Sequence, residues 1–400
     1  MTNNYPGRGY FHMKRITTFV FFAVVAAAAI LGLVSCDEDR AEEIAVGVAF
    51  PLTGVSEGLG ANMRKGVELA VEEINASALL GGTDLRPVFE DTEGTPDGAE
   101  RAFRKLIGED AVSAIIGPWS SSSTRRIAPL VNESNVVTIS PTSAASPSGI
   151  TAPGDFIFRT SLTVDKMVPE GIEKTKGALK YSKAATIVNI DDTFSMSSND
   201  KVLEELAKYP DVEVVEEQSF SRAKNDSLPD LTEQLRVIKD SGADVVFVSA
   251  LSPGRQGVIV KAHEMGVTGS LIVTGLTETD VAEAEKKLKR STEGVIAVTN
   301  WVTDSTPRSV DFVGKYKEKY EEDPDAYSAR SYASTQILAA AIARASTSSP
   351  EDIRAALQMI GPESALDDTI FGKFYFDENG DGVHSFVVRI VRGGKFEALE

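Results

Sequence analysis

The sequence predicts an α/β fold of two halves, each a doubly wound parallel sheet. Three observations carry this. Short apolar runs alternate with stretches whose apolar residues recur at helical spacing, along most of the chain after residue 43. The alternation forms one series to about Thr160 and then restarts. Two apolar runs, Ala111 to Ile116 and Val136 to Ile139, end in hydroxyl-rich segments. Strands alternating with helices give a parallel sheet covered on both faces, and ligands of such folds bind at the carboxyl ends of the strands.

Ile44 to Phe50 is the first strand, and Pro51-Leu52-Thr53-Gly54 is a loop. Leu59, Met63, Val67, Ala70, Val71 and Ile74 then share one helical face. Gly81-Gly82 ends that unit. Leu85 to Glu90 is a strand, and Pro96-Asp97 opens a helix whose buried stripe is Ala99, Ala102, Phe103, Leu106 and Ile107. Gly117 and Pro118 stop the next strand, and residues 125–131 resume helical spacing. After Val136 to Ile139 comes a Pro/Gly/Ser-rich loop and a short strand, Phe156 to Thr160.

The second series has a helix from Val168 to Ala178 and a strand from Ala184 to Ile190, ending in Asp191-Asp192-Thr193-Phe194. A helix from Val202 to Tyr209 and a strand from Val212 to Phe220 follow. Leu231 to Lys239 is helical, Ala243 to Ser249 a buried strand, Val258 to Met265 helical, and Ser270 to Val273 a strand. Val295 to Thr299 opens a third section with long helices from Val310 to Tyr320 and Tyr327 to Ala345. A last helix starts at Pro350, and a hairpin of Phe371 to Phe376 with Phe386 to Val391 closes the chain.

Composition narrows the function. Four hundred residues suffice for two domains with full cores. A net charge of −18 repels nucleic acid and anionic membrane surfaces. One cysteine permits no internal disulfide, and three scattered histidines, His12, His263 and His384, support neither a histidine-rich metal site nor a Ser–His–Asp triad. No metal and no cofactor is expected.

The amino terminus carries an address. Met13-Lys14-Arg15 precedes an apolar run from Ile16 to Val34, and Leu33-Val34-Ser35-Cys36 leads into acidic Asp37-Glu38-Asp39. A basic start, an apolar middle and small residues at a cleavage point make a secretory signal. The cysteine directly after the small residue resembles the bacterial lipobox. That resemblance implies a signal peptide over residues 1–36, lipidation of Cys36, and a flexible tether over residues 37–43. Two acyl chains suffice for stable attachment. An uncleaved membrane anchor is the alternative, since the run is about long enough to span a bilayer. Either gives export and tethering.

The chemistry concentrates in Ile115 to Thr124. Four serines and a threonine stand where a strand ends and a helix begins. Serine hydroxyls cap such a helix, unpaired backbone N–H groups face outward, and the dipole favours an anion. A plain cap needs only one serine. The second hydroxyl-rich stretch, Ile139 to Ser146, stands at an equivalent strand end and favours an anion site.

These motifs carry a family resemblance. Pro51 to Gly54, Gly66 to Asn75, Gly117 to Thr124, Ile139-Ser140-Pro141, Phe158-Arg159-Thr160, and Gly372 with Phe376-Asp377 resemble, in order, the periplasmic binding proteins of the leucine/isoleucine/valine type. The resemblance implies two doubly wound lobes joined by three crossovers, with a ligand in the cleft. Lobe I would hold residues 44–159 and 297–366, and lobe II residues 160–296 and 367–400. It implies that Ser121, with Ser122 nearby, holds a carboxylate, and that Thr142 and Ala144 supply hydroxyl and backbone contacts. Amino-acid binders prefer a hydroxyl at Ala144, and Ser143 could substitute. The family's first-lobe aromatic falls on Leu59, and its second-lobe aromatics on Phe194 and near Leu251. The acid that pairs an α-ammonium falls near Thr277, with Glu278 one place on. Trp119, beside the serines, is a further candidate for the cleft wall.

Other motifs read as structural. Asp191-Asp192 is an acidic strand-end loop, and residues 283–290 are a solvated helix face. Residues 377–382 look like half a calcium loop, but Val388 stands where the bidentate glutamate belongs, so a polar turn fits better. No phosphate-binding Gly-x-x-x-x-Gly-Lys-Ser/Thr loop occurs. The reading is therefore a non-enzymatic, lipid-anchored, extracytoplasmic solute-binding protein. It would capture a small carboxylate, best matched by a branched-chain or related amino acid, and deliver it to the membrane permease of an ABC importer. A ligand-sensing receptor of the same fold, and a binder of a non-amine carboxylate or amide, are the alternatives.

Overall fold

The structure, a computed structural model, describes residues 1–4, 43–221 and 229–399. The chain divides into two units, Met1–Glu42 and Glu43–Glu400. The expected signal segment from residue 5, Cys36 and the tether to residue 42 lie outside the described residues. Glu43, expected to end the tether, opens the first strand. No described helix is long and apolar enough to cross a membrane.

In the second unit, strands β1 (Glu43–Phe50), β2 (Asp84–Asp91), β3 (Ala114–Ile116), β4 (Val137–Ser140) and β5 (Ile157–Arg159) form a parallel sheet ordered β2-β1-β3-β4-β5. Helices α1 (Glu57–Ala76), α2 (Pro96–Gly108) and α3 (Ser121–Ser134) alternate with them. Successive side chains of a strand point to opposite faces. Hence Val46, Val48 and Phe50 enter one apolar cluster, with Met63 and Val67 of α1, while Ala49 enters another with Phe103 and Leu106 of α2. Burial on both faces is why these strands read as continuous apolar runs.

The chain crosses after Arg159 into a second sheet. Its strands β6 (Lys183–Asn189), β7 (Glu213–Phe220), β8 (Val245–Ser249), β9 (Ser270–Thr274) and β10 (Ile296–Thr299) are parallel. Helices α4 (Val164–Leu179), α5 (Thr193–Leu206), α6 (Thr232–Ser241), α7 (Gly254–Met265) and α8 (Glu278–Lys287) intervene. Helix α5 begins well before the expected Val202, because Asp192 caps it by accepting from the Ser195 N–H at 2.8 Å.

After Thr299 the chain returns to the first lobe through α9 (Pro307–Tyr320), α10 (Ala326–Ala345) and α11 (Pro350–Gln358). A small antiparallel sheet, β11 (Leu366–Thr369), β12 (Gly372–Phe376) and β13 (Gly382–Val383), packs Phe374 and Phe376 into the same first-lobe core. Strands β14 (Val387–Arg392) and β15 (Lys395–Ala398) then complete the second sheet, antiparallel at its edge, in the order β15-β14-β10-β9-β8-β6-β7. This corrects three expectations. The second crossover follows Thr299, because Ile296–Thr299 pairs with β9 and β14. The third follows Val383 instead of residue 366, because β11 to β13 belong to the first-lobe core. Residues 371–376 and 386–391 do not form a hairpin with each other, since β12 pairs β11 and β13 while β14 pairs β10 and β15.

Two long-range contacts fix this arrangement. Helices α1 and α10 cross closely: the Ser331 hydroxyl donates to the Met63 carbonyl at 2.7 Å, and a Cβ on Gly66 would lie 2.1 Å from the Ser328 carbonyl oxygen. Arg159 at the end of β5 is fully buried and grips Asp381 with both Nε (2.6 Å to Oδ1) and Nη2 (2.8 Å to Oδ2). The expected calcium-like turn is thus a salt-bridged turn. Asp377 closes it by accepting from the Asn379 and Asp381 N–H groups, both at 3.0 Å.

Candidate ligand-binding cleft

The first-lobe wall comes from the loops after β3 and β4. Gly117 turns the chain at φ +135°, where a Cβ would meet the Ala49 carbonyl at 2.5 Å, so glycine is required. Ser120 caps α3, accepting from the Ser123 N–H at 3.2 Å. The first N–H groups of α3 have no intrahelical acceptor. The loop after β4 is tied to this turn: Ser140 Oγ donates to the Pro118 carbonyl at 2.6 Å, and Thr142 Oγ1 to the Trp119 carbonyl. Ser121 Oγ accepts from the backbone N–H groups of Ala144 (3.1 Å) and Ala145 (3.2 Å). With its lone pairs so used, the Ser121 hydroxyl can turn its proton to a carboxylate. The two hydroxyl-rich segments act as one unit.

The second lobe meets this wall through α5. The Thr193 N–H donates to Ser122 Oγ at 3.0 Å, and the Ser146 N–H to Ser197 Oγ at 2.8 Å. Behind these contacts is a small cavity of about 40 Å³ between the lobes. By the same measure a water needs roughly 10–15 Å³, so the space suits a compact molecule. Trp119, Ser121, Thr142 and Ala144 line it from the first lobe, and Phe194 and Leu251 from the second. A larger cleft of about 670 Å³ adjoins it, and Trp119 and Tyr327 line both spaces.

Five expected residues lie elsewhere. Leu59 and Thr277 line the larger cleft. Ser122 is used in the contact with Thr193, and Ser143 is fully buried with its hydroxyl 3.3 Å from Ser121 Oγ. Glu278, expected to pair an ammonium, lines neither space. Thr277 is the N-cap of α8 in a capping box with Asp280, which turns Glu278 towards Thr303, whose hydroxyl donates to Oε1 at 3.2 Å. Burial raises the Glu278 pKa.

Sequence reasoning missed the cavity's charged lining, Arg255 of α7 and Arg330 of α10, and also Asn300 and Tyr327. Arg255 donates to the Gly275 carbonyl and sits 3.3 Å from Asp280. Among the described residues Arg330 has no ion pair, and burial lowers its pKa to about 10, so it stays charged at neutral pH. Asn300 Nδ2 donates to Ser161 Oγ at 2.8 Å, leaving its Oδ1 without a partner. A signal existed for both arginines. Arg255 sits in the first turn of a helix, where the dipole disfavours a cation. Arg330 is the lone charge between Ala326 and Ala343.

No group of three or more His, Cys, Asp or Glu among the described residues could hold a metal. The cavity offers hydroxyl, backbone and guanidinium donors framed by aromatic and aliphatic side chains. Neither of the described histidines, His263 and His384, lines it.

Comparison with known proteins agrees with this fold. Residues 43–395 match the model of a family described as periplasmic binding protein. The chain is 25% identical to an amino acid binding protein of Pseudomonas aeruginosa over 360 residues, covering 89% of this chain and 92% of that one. It is 25% identical to a Leu/Ile/Val-binding protein homolog of Brucella suis, covering 85% and 87%. Among solved structures, a leucine binding protein from Thermotoga maritima superposes with a TM-score of 0.76 at 24% identity, covering 89% and 98%. A solute binding protein from R. palustris in complex with benzoate gives 0.75 at 20%, covering 89% and 95%. With its two parallel-sheet lobes and the cavity between them, the chain belongs to the type I periplasmic binding proteins, in their branched-chain amino acid family.

Proposed function

We propose that the protein captures a small carboxylate, an amino acid or a related acid, between its lobes and delivers it to the permease of an ABC importer. The observation that carries this is the Ser121 hydroxyl at the α3 amino terminus, joined to the Ala144 and Ala145 N–H groups and lining the inter-lobe cavity. Such a carboxylate seat, with Trp119, Thr142, Ala144, Phe194 and Leu251 as its walls, uses both lobes. A ligand then favours the closed form by its differential affinity for it. Fold neighbours are described with isoleucine in one case and benzoate in another, so the fold alone leaves the ligand's second group open. The family's setting is extracytoplasmic, and its relatives are solute-binding proteins, not enzymes. In this reading Cys36 carries the lipid anchor that holds the protein near its permease. Replacing it, C36A, should abolish labelling by palmitate in a bacterial host.

The binding reading is tested by thermal unfolding of the full chain with small carboxylates. A ligand at a hundred times its Kd adds about 2.7 kcal/mol, and at ~2.1 cal/mol/K per residue over about 350 residues that raises the midpoint by about 4 °C. S121A should weaken binding of the same ligand about 10-fold or more, because a hydrogen bond to a charged group is lost. If no carboxylate raises the midpoint of the folded protein, the reading fails.

A further inference from the structure

The charged residues lining the inner cavity are Arg255 and Arg330, and no carboxylate lines it among the described residues. Both are deeply buried, 2% and 6% exposed. They come from different lobes. Arg255 is partly answered by Asp280, but that carboxylate is already shared with Ser252, Gln256 and Thr277. Asp325, the other acid that acts on Arg330, is committed to the α10 cap and to Asn62. The Nε atoms of both arginines and Nε1 of Trp119 are buried without a partner. These are three donors. With the Ser121 hydroxyl and the terminal N–H groups of Arg330 added, they exceed the roughly four lone-pair sites of one carboxylate. An α-ammonium, by contrast, would face two guanidinium groups and no acid.

Resting on the carboxylate-capture reading, we propose that the ligand is a short dianion, a dicarboxylate without an ammonium group, whose second anionic end is held by Arg330 and Arg255. Two planar guanidinium forks suit a carboxylate geometrically. Phe194, Leu251 and Met167 supply an apolar surface for the spacer, and the small cavity keeps that spacer short.

The test is isothermal titration of the full chain with matched probes: succinate, glutarate and phthalate against butyrate and benzoate, with leucine, valine and glutamate as ammonium-bearing acids. A dicarboxylate should bind about 10- to 150-fold tighter than the monocarboxylate of its skeleton, the range expected for one charge-assisted contact. R330Q should bring that ratio close to one, and R330K, which keeps the charge without the fork, should fall between. Reading the ratio within one variant separates recognition from any loss of folding. Leucine, valine or glutamate binding tighter than every dicarboxylate would overturn the proposal and leave carboxylate capture standing. Binding of none of these probes would overturn both.

Discussion

Removing Asp381 tests how the three-crossover fold is held. In D381A the Arg159 guanidinium would remain at 0% exposure with only the Ala145 carbonyl (2.7 Å) and Thr151 Oγ1 (3.2 Å) as partners. A buried charge stripped of its counter-ion costs about 3–5 kcal/mol. The unfolding entropy of about 350 residues at ~2.1 cal/mol/K each is about 0.7 kcal/mol/K, so the midpoint should fall by about 4–7 °C. The control is E233A: Glu233 pairs with Arg236 at 2.7 Å on an exposed helix face, where solvent screens the attraction. Its midpoint should move by about 1 °C or less. Calorimetry of the ligand-free full chain reads both. The double variant R159M/D381L removes both charges and should be less destabilised than D381A, since apolar replacement of a whole buried pair is often near neutral. A D381A midpoint within about 1 °C of the parent would refute the argument, because the pair would then not be carrying the turn.

Further expectations follow from single contacts. G66A should destabilise by about 1–3 kcal/mol despite alanine's better helix propensity, because its Cβ would meet the Ser328 carbonyl. G177A, in a helix with open space around it, should stabilise slightly, and urea midpoints of the same sign in both variants would contradict this. His384 is buried, stacked on Phe371 at 4.2 Å, and its pKa is lowered to about 4. Its contribution is therefore complete above pH 6.5 and is lost as pH falls towards 4, when the unfolded chain takes up a proton that the native state refuses. The loss should reach about 3 kcal/mol, and in H384F the urea midpoints at pH 7.5 and 4.5 should differ by correspondingly less. E278Q should leave ligand affinity within about twofold, since Glu278 bonds Thr303 outside the cavity; a larger loss by titration would return Glu278 to the site.

What the sequence disclosed was local. Buried parallel strands are apolar on both faces, so β1, β3, β4 and β8 are visible as runs. The serine-rich wall of the first lobe was legible because it lies within one strand–helix turn, Trp119 to Ser123. Strand partners were not legible: alternation marks a strand but not its neighbour, which is why Phe371 to Phe376 was paired with the wrong run. Glu278 failed by one residue of register. At a helix start a single step rotates the side chain by about 100°, and Thr277 takes the cap. Arg255 and Arg330 were hidden because only the tertiary fold brings α7 and α10 to one cavity.

The division of the site between the lobes bears on how it closes. Ser121, Ala144 and Ala145 all belong to the first lobe, so a carboxylate seated there interacts almost equally well whether the cleft is open or shut. That contact contributes affinity but little bias towards closure. The arginines are different. Arg330 comes from the first lobe and Arg255 from the second, and the proximity of Arg255 helps to depress the Arg330 pKa. Closing the lobes without an anion brings like charges together where water no longer screens them. An anionic group between them reverses the sign of that term, because each guanidinium then faces a carboxylate. The second group is thus the part of the ligand whose interaction energy differs most between the open and closed forms. A monocarboxylate would occupy the Ser121 seat and leave the repulsion in place, so recognition of the second charge and commitment to the closed form are one physical event.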